Sequence, residues 1–409
     1  MPDAPTEAQR DRSLRRILSI DGGGIRGTFP AAFLANLEQD LEHSVGRYFD
    51  LIAGTSTGGI IAIGLALGLR AADILKLYED QGPAIFGQTR SGMRGWLDRH
   101  TRFGRWLLWG PKYSAKPLRD ALTQALGDRR LGEAQTRLMI PAWHPRTQGV
   151  YIFKTAHHPR LATDYRELAV DAAMATAVAP TYFAQHITAN DVGLVDGGLW
   201  ANNPTGLAVV EAIATLDWAP DDIKVLSIGC LEDVKMVRQA YGAVRLAPQL
   251  ASLFMAGQSQ GSLGIAQILT GDPDQRKAMY RISQPVPDGF YALDGTSRIR
   301  DLKDRAFARG AYPKAHPPTA FLPRAGGRIH TRIQDEDMTK HDRQIVRTHD
   351  DVLEGIAEAL DIRHPSSKRQ RNVTNRSAPG WTATSRSCRH TVRPSPRKAR
   401  SCSARSPGR

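Results

Sequence analysis

A short apolar run, a glycine-rich turn and a helix-forming segment follow one another twice within the first 70 residues. The first unit begins RRILSI-DGGGIRG, residues 15–27, and the second begins YFDLIAG-TSTGG, residues 48–59. The segments after the turns, 29–41 and 60–69, have the apolar spacing of an amphipathic helix and of a fully buried helix. Strand, helix, strand, helix in this order requires right-handed crossovers and a mostly parallel sheet. The sequence therefore predicts an α/β fold.

Further strand-like runs show that the sheet continues far along the chain. They are TRLMIPAW, GVYIFKTA, GLVDGG and IKVLSIGC. This continuity predicts one large catalytic domain over residues 13–362, with its motifs between 17 and 229 and an extension of helix and loop over 230–362. Residues 1–12 are polar and are predicted to be flexible.

The formal net charge of +14 is concentrated at the carboxyl end. Of the 55 Lys and Arg residues, 13 lie in 363–409, where no Asp or Glu occurs, so the first 362 residues carry 42 basic and 41 acidic side chains. Residues 363–409 are also poor in large apolar side chains and are predicted to be a disordered basic tail. Nucleic-acid binding is therefore not expected except through this tail, which also suits an anionic membrane.

Cysteine content and hydropathy indicate a reducing compartment. Only Cys230 lies outside the tail, which holds Cys388 and Cys402, so no disulfide framework is expected. The first 16 residues lack the apolar core of a signal peptide, and the longest apolar run, 60–69, is too short to span a bilayer. We expect a soluble cytoplasmic protein.

The pentapeptide GTSTG, residues 54–58, fits the pattern G-x-S-x-G between an apolar strand and an apolar helix. A nucleophile elbow of this kind holds its serine on a sharp turn and needs small neighbours, because the strand and the helix pass close together. The start of the helix also favours negative charge at Ser56. Ser56 is therefore predicted to be a nucleophile, and the alternative is a glycine-rich turn that only happens to contain a serine.

The loop GGGIRG, residues 22–27, has three interpretations. After a strand, G-x-G-x-x-G fits a dinucleotide-binding loop, with Glu38, Asp40 or Glu42 near the place of the ribose-binding acid. Consecutive glycine N–H groups at a helix start also fit an oxyanion hole. The third interpretation is a plain tight turn. The serine elbow downstream favours the oxyanion hole, because a dinucleotide site gives no reason for GTSTGG.

A serine nucleophile needs a base, and the candidates are the histidines and one aspartate. His157, His158 and His186 occur in no recognisable catalytic context, whereas Asp196 ends the strand-like run GLVDGG. A lone D-G-G is more often a plain turn, and Asp196 becomes a candidate only together with the other two motifs. No Asp or His cluster has metal-ligand spacing, so neither a metal nor another cofactor is expected.

Four motifs occur in the order and spacing of the patatin-like phospholipases, which residues 17–229 resemble: DGGGIRG, GTSTGG, ATAVAPTYF and DGGLWANNP. The resemblance implies a three-layer α/β/α fold and a Ser–Asp dyad without histidine, with Ser56 as nucleophile and Asp196 as proton acceptor. It also implies an oxyanion loop and supporting residues around both motifs. The implied loop glycines are Gly22, Gly23, Gly24 and Gly27, and the supporting residues are Arg26, Gly54, Gly58, Gly197 and Gly198.

The stretch KYSAKPLRDALTQALGD, residues 112–128, and the extended body are similar to a bacterial subgroup of cyclic-nucleotide-activated phospholipase effectors of antiphage defence. The partners that this resemblance implies are a membrane phospholipid substrate and a cyclic dinucleotide activator, and the implied place of action is the inner face of the membrane. No residue specifies a nucleotide site, and the sequence is compatible with a homo-oligomer without specifying one.

Residues 90–116 contain seven Lys or Arg residues, three tryptophans and one acidic residue. Tryptophan favours the headgroup region of a bilayer, and basic residues attract anionic lipid. The segment is either a lid or membrane contact, or a surface helix whose tryptophans pack on the body.

The favoured hypothesis is a lipid acyl hydrolase of the phospholipase A type. The alternatives are a dinucleotide-binding oxidoreductase that uses the glycine loop, and a non-catalytic protein that binds membrane or nucleic acid through its tail.

Overall fold

An eight-stranded sheet forms the centre of the protein. A computed structural model describes residues 14–86, 110–234, 243–271, 278–287 and 290–315. The strands of this part of the chain are β1 (Arg15–Ile20), β2 (Leu51–Gly54), β3 (Arg137–His144), β4 (Gly149–Lys154), β5 (His186–Ile187), β6 (Gly193–Asp196), β7 (Ile223–Ile228), β8 (Glu232–Val234), β9 (Met279–Ile282) and β10 (Pro285–Pro287).

The helices lie between these strands and after them. They are α1 (Thr28–Glu38), α2 (Thr57–Ala66), α3 (Ala71–Ile85), α4 (Lys116–Leu126), α5 (Ala169–Ala177), α6 (Gly198–Ala201), α7 (Thr205–Ala214), α8 (Ala243–Leu269) and α9 (Ile299–Ala315). A short 3-10 helix, Gly24–Gly27, leads directly into α1. The two strand–turn–helix units that the sequence predicts are therefore β1–α1 and β2–α2.

The middle of the sheet is parallel, in the order β3-β2-β1-β7-β9. Strands β4 and β6 both pair antiparallel with β3, and β5 continues the sheet beyond β6. In the register of the central strands, Ile20 of β1 lies opposite both Gly54 of β2 and Ile228 of β7. The carboxyl ends of three parallel strands therefore meet at one edge, which is where ligands bind in open α/β sheets.

Alternation along the strands gives the sheet an apolar surface on each face. Leu18, Ile20 and Ile52 belong to one buried cluster, together with side chains of α1 to α5. Ile17 and Leu51 belong to the second cluster, with α7 and α8. Helices thus cover both faces, and the α/β class with three layers that the sequence analysis predicts is confirmed.

The expectation of helix and loop alone over residues 230–362 was wrong, because three strands lie in its described part. Strands β8 and β10 pair in parallel with each other as a separate two-stranded sheet. Strand β9 lies in this segment and pairs in parallel with β7, where Val225 lies opposite Met279 and Ile228 lies opposite Ile282. A run of four residues, MYRI, carries little periodicity of its own, so its pairing is decided by the exposed edge of β7. The extension therefore completes the sheet.

Three predicted segments lie largely or wholly outside the described residues. They are the amino-terminal residues 1–12, the tryptophan-containing stretch 90–116, of which only 110–116 is described, and the basic tail 363–409. None of the described helices combines the length and the hydropathy needed to cross a bilayer.

Candidate active site

Ser56 occupies a strained turn between β2 and α2. Its backbone has φ 56° and ψ −125°, in the left-handed half of conformational space that a residue with a Cβ rarely adopts. The Ser56 N–H donates to Thr176 Oγ1 at 3.0 Å, and that hydroxyl donates to Pro141 O at 2.6 Å. Helix α5 and strand β3 thus hold the turn in a conformation of the kind that accumulates at functional sites.

Close approach of the backbone explains the two glycines of the serine turn. A Cβ placed on Gly54 would lie 2.2 Å from Gly58 O, and one on Gly58 would lie 2.3 Å from Ile20 O. Backbone cannot withdraw from such contacts without moving β1 or β2. The glycines predicted to support the nucleophile therefore allow helix α2 to start directly against the sheet.

Gly58→Ala is expected to destabilise the protein by at least about 2 kcal/mol, because the added methyl group meets backbone oxygens on two sides. Gly261→Ala in helix α8 is the matched control, since no atom lies within 4 Å of a Cβ placed there. That control should stabilise the protein by about 0.5–1 kcal/mol through helix propensity. Equilibrium urea unfolding of both variants measures the difference, and equal behaviour of the two would contradict the packing argument.

The Ser56 hydroxyl donates to Asp196, which ends β6 on the same side of the sheet. Ser56 Oγ lies 2.6 Å from Asp196 Oδ2, and the Gly198 N–H donates to Asp196 Oδ1 at 2.6 Å. The two side chains are nearly inaccessible, with exposed fractions of 7% for Ser56 and 5% for Asp196. Burial raises the pKa of Asp196 to about 6, and the two hydrogen bonds oppose that rise.

This pKa makes Asp196 a better base than an ordinary aspartate. A carboxylate with a pKa near 4 is poorly matched to the proton of a serine hydroxyl at neutral pH, and a value near 6 narrows the gap. Gly197 and Gly198 permit the turn that aims the carboxylate, because a Cβ on Gly197 would lie 2.3 Å from Pro141 O. The geometry suits proton transfer from Ser56 to Asp196.

The glycine loop packs directly against the serine turn. A Cβ on Gly22 would lie 3.1 Å from Ser56 Cβ, and one on Gly27 would lie 2.9 Å from Thr57 Cβ. The structure therefore brings together the three regions that carry the predicted site residues.

The amides of this loop differ in what they bind. The Gly22 N–H donates to Asn202 O at 2.9 Å, and the Gly23 N–H donates to Thr57 Oγ1 at 3.2 Å. The Gly24 N–H donates to none of the described residues, and Gly24 has φ 57°. Among Gly22, Gly23 and Gly24, the amide of Gly24 is thus the most available to a ligand.

Arg26 anchors the loop to the carboxyl-terminal extension. Its side chain is buried, and both Nε, at 2.9 Å, and Nη2 donate to the carbonyl oxygen of Tyr291. The predicted support by Arg26 is therefore a contact with the carboxyl-terminal extension rather than with the nucleophile.

The other candidate bases of the sequence analysis bind elsewhere. His157 Nε2 lies 2.9 Å from Glu211 Oε1, and His186 Nε2 lies 2.9 Å from Asp171 Oδ1. Glu38, considered as a ribose-binding acid, accepts hydrogen bonds from the backbone N–H groups of Val45 and Ala71. These side chains serve the packing of loops and helices.

Three residues that contribute to the site were not identified as site residues in the sequence analysis. Thr176 lies within ATAVAPTYF and Asn202 within DGGLWANNP, so their motifs marked them without indicating a role. Arg281, which binds Asp21 at the start of the glycine loop, lies in no motif. Over the described part of the chain, no group of three or more His, Cys, Asp or Glu side chains is placed to hold a metal ion.

A serine on a strained strand-to-helix turn, with a hydrogen-bonding partner for its hydroxyl, defines a class: hydrolases that use a serine nucleophile. Comparison with known proteins identifies the family within this class. The model of the family described as patatin-like phospholipase matches residues 18–209. The chain belongs to the patatin-like phospholipase family.

Three bacterial relatives carry the same description, cGAMP-activated phospholipase. The protein of Vibrio cholerae serotype O1 is 37% identical over 248 residues, which cover 56% of this chain and 68% of the relative. The Pseudomonas aeruginosa protein is 38% identical over 218 residues, 53% of this chain and 62% of the relative. The Escherichia coli protein is 35% identical over 232 residues, 54% of this chain and 63% of the relative. The matches thus span about two thirds of each relative's length.

Proposed function

We propose that this protein is a lipid acyl hydrolase of the phospholipase A type, which cleaves acyl esters of membrane phospholipids with Ser56 and Asp196. The observation that carries the proposal is the 2.6 Å hydrogen bond from Ser56 Oγ to the buried Asp196 carboxylate, at a turn held in strained geometry. Membership of the patatin-like phospholipase family and the similarity to three cGAMP-activated phospholipases support the substrate class.

The reaction begins when Asp196 accepts the Ser56 hydroxyl proton and Ser56 Oγ attacks the ester carbonyl carbon. The tetrahedral intermediate collapses with release of the lysolipid alcohol, which takes the proton from Asp196. An acyl-enzyme on Ser56 remains. Asp196 then accepts a proton from water, the hydroxide attacks the acyl-enzyme, and fatty acid leaves as Ser56 recovers its proton. One buried carboxylate alternates between base and acid in both halves of the reaction.

The developing negative charge on the carbonyl oxygen needs donors that are already in place. The glycine loop offers the Gly24 N–H, and Gly23 adds a second amide if Thr57 Oγ1 yields its hydrogen bond. The N–H groups at the start of helix α2, beginning with Thr57, have no intrahelical acceptor and add positive potential beside Ser56. Losing one donor of this kind costs about 3 kcal/mol of transition-state stabilisation.

The same proposal includes a cyclic dinucleotide as activator and the membrane as the place of action, both inferred from the relatives. Activation would keep hydrolysis low until the nucleotide binds, which suits an enzyme whose substrate is the bilayer of its own cell. A homo-oligomer and a membrane contact through residues 90–116 are further parts of this proposal.

Covalent labelling tests whether Ser56 is an activated nucleophile, whatever the lipid. A fluorophosphonate probe reacts by forming the Ser56 O–P bond as the P–F bond breaks, with the proton passing to Asp196. We expect one adduct, on the peptide that contains Ser56, after incubation with and without a panel of cyclic dinucleotides. An unlabelled wild-type protein under every condition, or a label that maps to another serine, would contradict the proposed function.

A further inference from the structure

The aspartate that opens the glycine loop is buried and paired with an arginine from the extension. Arg281 Nη1 donates to Asp21 Oδ1 at 3.0 Å, and Nη2 donates to Asp21 Oδ2 at 2.6 Å. Asp21 immediately precedes Gly22, while Arg281 lies on β9, outside the segment that matches the family. The two hydrogen bonds fix the orientation of the Asp21 carboxylate as well as its distance from Arg281, because the planar carboxylate and guanidinium groups must align.

The guanidinium group of Arg281 also fills a space that the sheet leaves for it. A Cβ on Gly229 would lie 2.5 Å from Arg281 Nη2, and Nη1 donates to Ser227 Oγ at 2.8 Å. Burial raises the pKa of Asp21, and the charge of Arg281 opposes this rise. Removal of Arg281 would leave a buried carboxylate without its counter-charge, which is far less favourable than the pair.

Two more contacts tie the glycine loop to the same part of the chain. Arg26 Nε donates to Tyr291 O at 2.9 Å, and the Ile25 N–H donates to Leu293 O at 2.8 Å. The second contact lies against Gly24, where a Cβ would be 2.2 Å from Leu293 O. The glycine loop and the aspartate that precedes it are thus held by three residues of the extension, Arg281, Tyr291 and Leu293.

Two further hydrogen bonds hold the loop to the part of the chain that matches the family. Asn202 O accepts from the Gly22 N–H, and Thr57 Oγ1 accepts from the Gly23 N–H. The amide of Gly24 therefore lies between two sets of restraints, and its direction depends on both. Only one set is supplied by the catalytic motifs.

We propose that Arg281 is a positioning residue for the oxyanion loop, and that Arg281, Tyr291 and Leu293 together clamp this loop in the geometry required for hydrolysis. This inference rests on the proposed function for its catalytic consequence. The restraint of the loop itself does not depend on that function and is measured separately.

Hydrogen exchange of the full-length protein measures the restraint without any substrate. In Arg281→Met we expect amide exchange of the peptide covering residues 21–27 to rise at least about tenfold, because the loop loses its anchor at Asp21. Arg281→Lys keeps the charge but not the two-point geometry and should give an intermediate rise. Lys154→Met is the matched control, since it breaks the similarly buried Lys154–Glu211 pair, 2.7 Å long, away from the loop.

Kinetics on phospholipid vesicles then measure the catalytic consequence. Arg281→Met should lower kcat about a hundredfold with KM changed by less than about threefold, as expected when a transition-state donor is misplaced. Arg281→Lys should recover part of kcat, and Lys154→Met should keep it even if its melting temperature falls. Should Arg281→Met fail to fold, the comparison between Arg281→Lys and the wild type carries the test.

The outcomes separate the two proposals. Unchanged loop exchange in the Arg281 variants would overturn the clamp whether or not the protein hydrolyses lipid, and so would increased exchange with an unchanged kcat. Increased loop exchange in the Arg281 variants, combined with a wild type that neither hydrolyses lipid nor takes the fluorophosphonate label, would support the clamp and contradict the proposed function. Both proposals are supported if loop exchange increases in Arg281→Met, its kcat falls, and Arg281→Lys recovers part of that kcat.

Discussion

Ser56→Ala is expected to reduce release of fatty acid from phospholipid vesicles by about ten-thousandfold or more, to the background of the assay. The reason is that alanine removes the attacking oxygen, and the remaining oxyanion donors accelerate hydrolysis by water only weakly. The fold should persist, because within the described part of the chain the Ser56 side chain makes a single hydrogen bond, to Asp196. Mass-spectrometric quantification of fatty acid, beside a circular-dichroism melting curve, measures both properties.

Ser44→Ala is the control for this substitution. Ser44 is as buried as Ser56, and its hydroxyl donates to Leu69 O at 2.8 Å. Ser44 precedes β2, whereas Ser56 follows it, so the two hydroxyls lie at opposite ends of that strand. The control should keep wild-type turnover. Residual hydrolysis by Ser56→Ala above a few per cent of wild type would show that another group is the nucleophile.

Asp196→Asn is expected to lower turnover by about a hundredfold to ten-thousandfold, because asparagine cannot accept the serine proton. The same change should stabilise the fold at pH 8. The pKa of Asp196 lies near 6 in the folded protein, above the value of 3.8 for an unperturbed aspartate. The folded state therefore favours the protonated form, and ionisation of Asp196 costs stability as the pH rises from about 4 through 6.

At pH 8 this cost is about 3 kcal/mol, from a shift of about two pKa units. Asparagine avoids it and can still accept from the Gly198 N–H and donate to Ser56 Oγ. Urea unfolding at pH 8 should show the variant to be more stable, with the difference vanishing below pH 4. Wild-type turnover should rise with pH through about 6, as Asp196 ionises. A variant that is less stable at pH 8, or a turnover that falls over this range, would contradict the assignment of Asp196 as a buried base.

The parts of this fold that local sequence decides were predictable. GTSTG predicts its strained turn because two glycines and a serine between apolar segments fit few other structures. Asp196 was predictable through its motif, since DGGLWANNP places an aspartate at a strand end followed by glycines. The consecutive apolar residues Ile17 and Leu18 in β1 likewise indicate a strand covered on both faces.

The parts that depend on distant pairing were not predictable. Arg281 and Asp21 are 260 residues apart, and nothing near Arg281 shows that its partner is the first residue of the glycine loop. The same holds for β9, whose four residues become a strand only against the edge of β7. Nor did three glycines in a row show that the amides of Gly22 and Gly23 bind Asn202 and Thr57. Such contacts follow from the assembled sheet rather than from local preference.

These long-range contacts change the view of the extension. It supplies a strand to the sheet and carries the acceptors that hold Arg26 and Ile25, so the catalytic motifs alone do not complete the loop. An activator that moves the extension would have a direct physical route to the oxyanion loop.

The central claim is tested most directly by fatty acid released from mixed phospholipid vesicles, with wild type and Ser56→Ala compared with and without a panel of cyclic dinucleotides. The account predicts that wild type releases fatty acid, that at least one nucleotide increases the rate, and that Ser56→Ala releases none above background. Release that is equal in wild type and Ser56→Ala would contradict it, as would no release by wild type under any of these conditions.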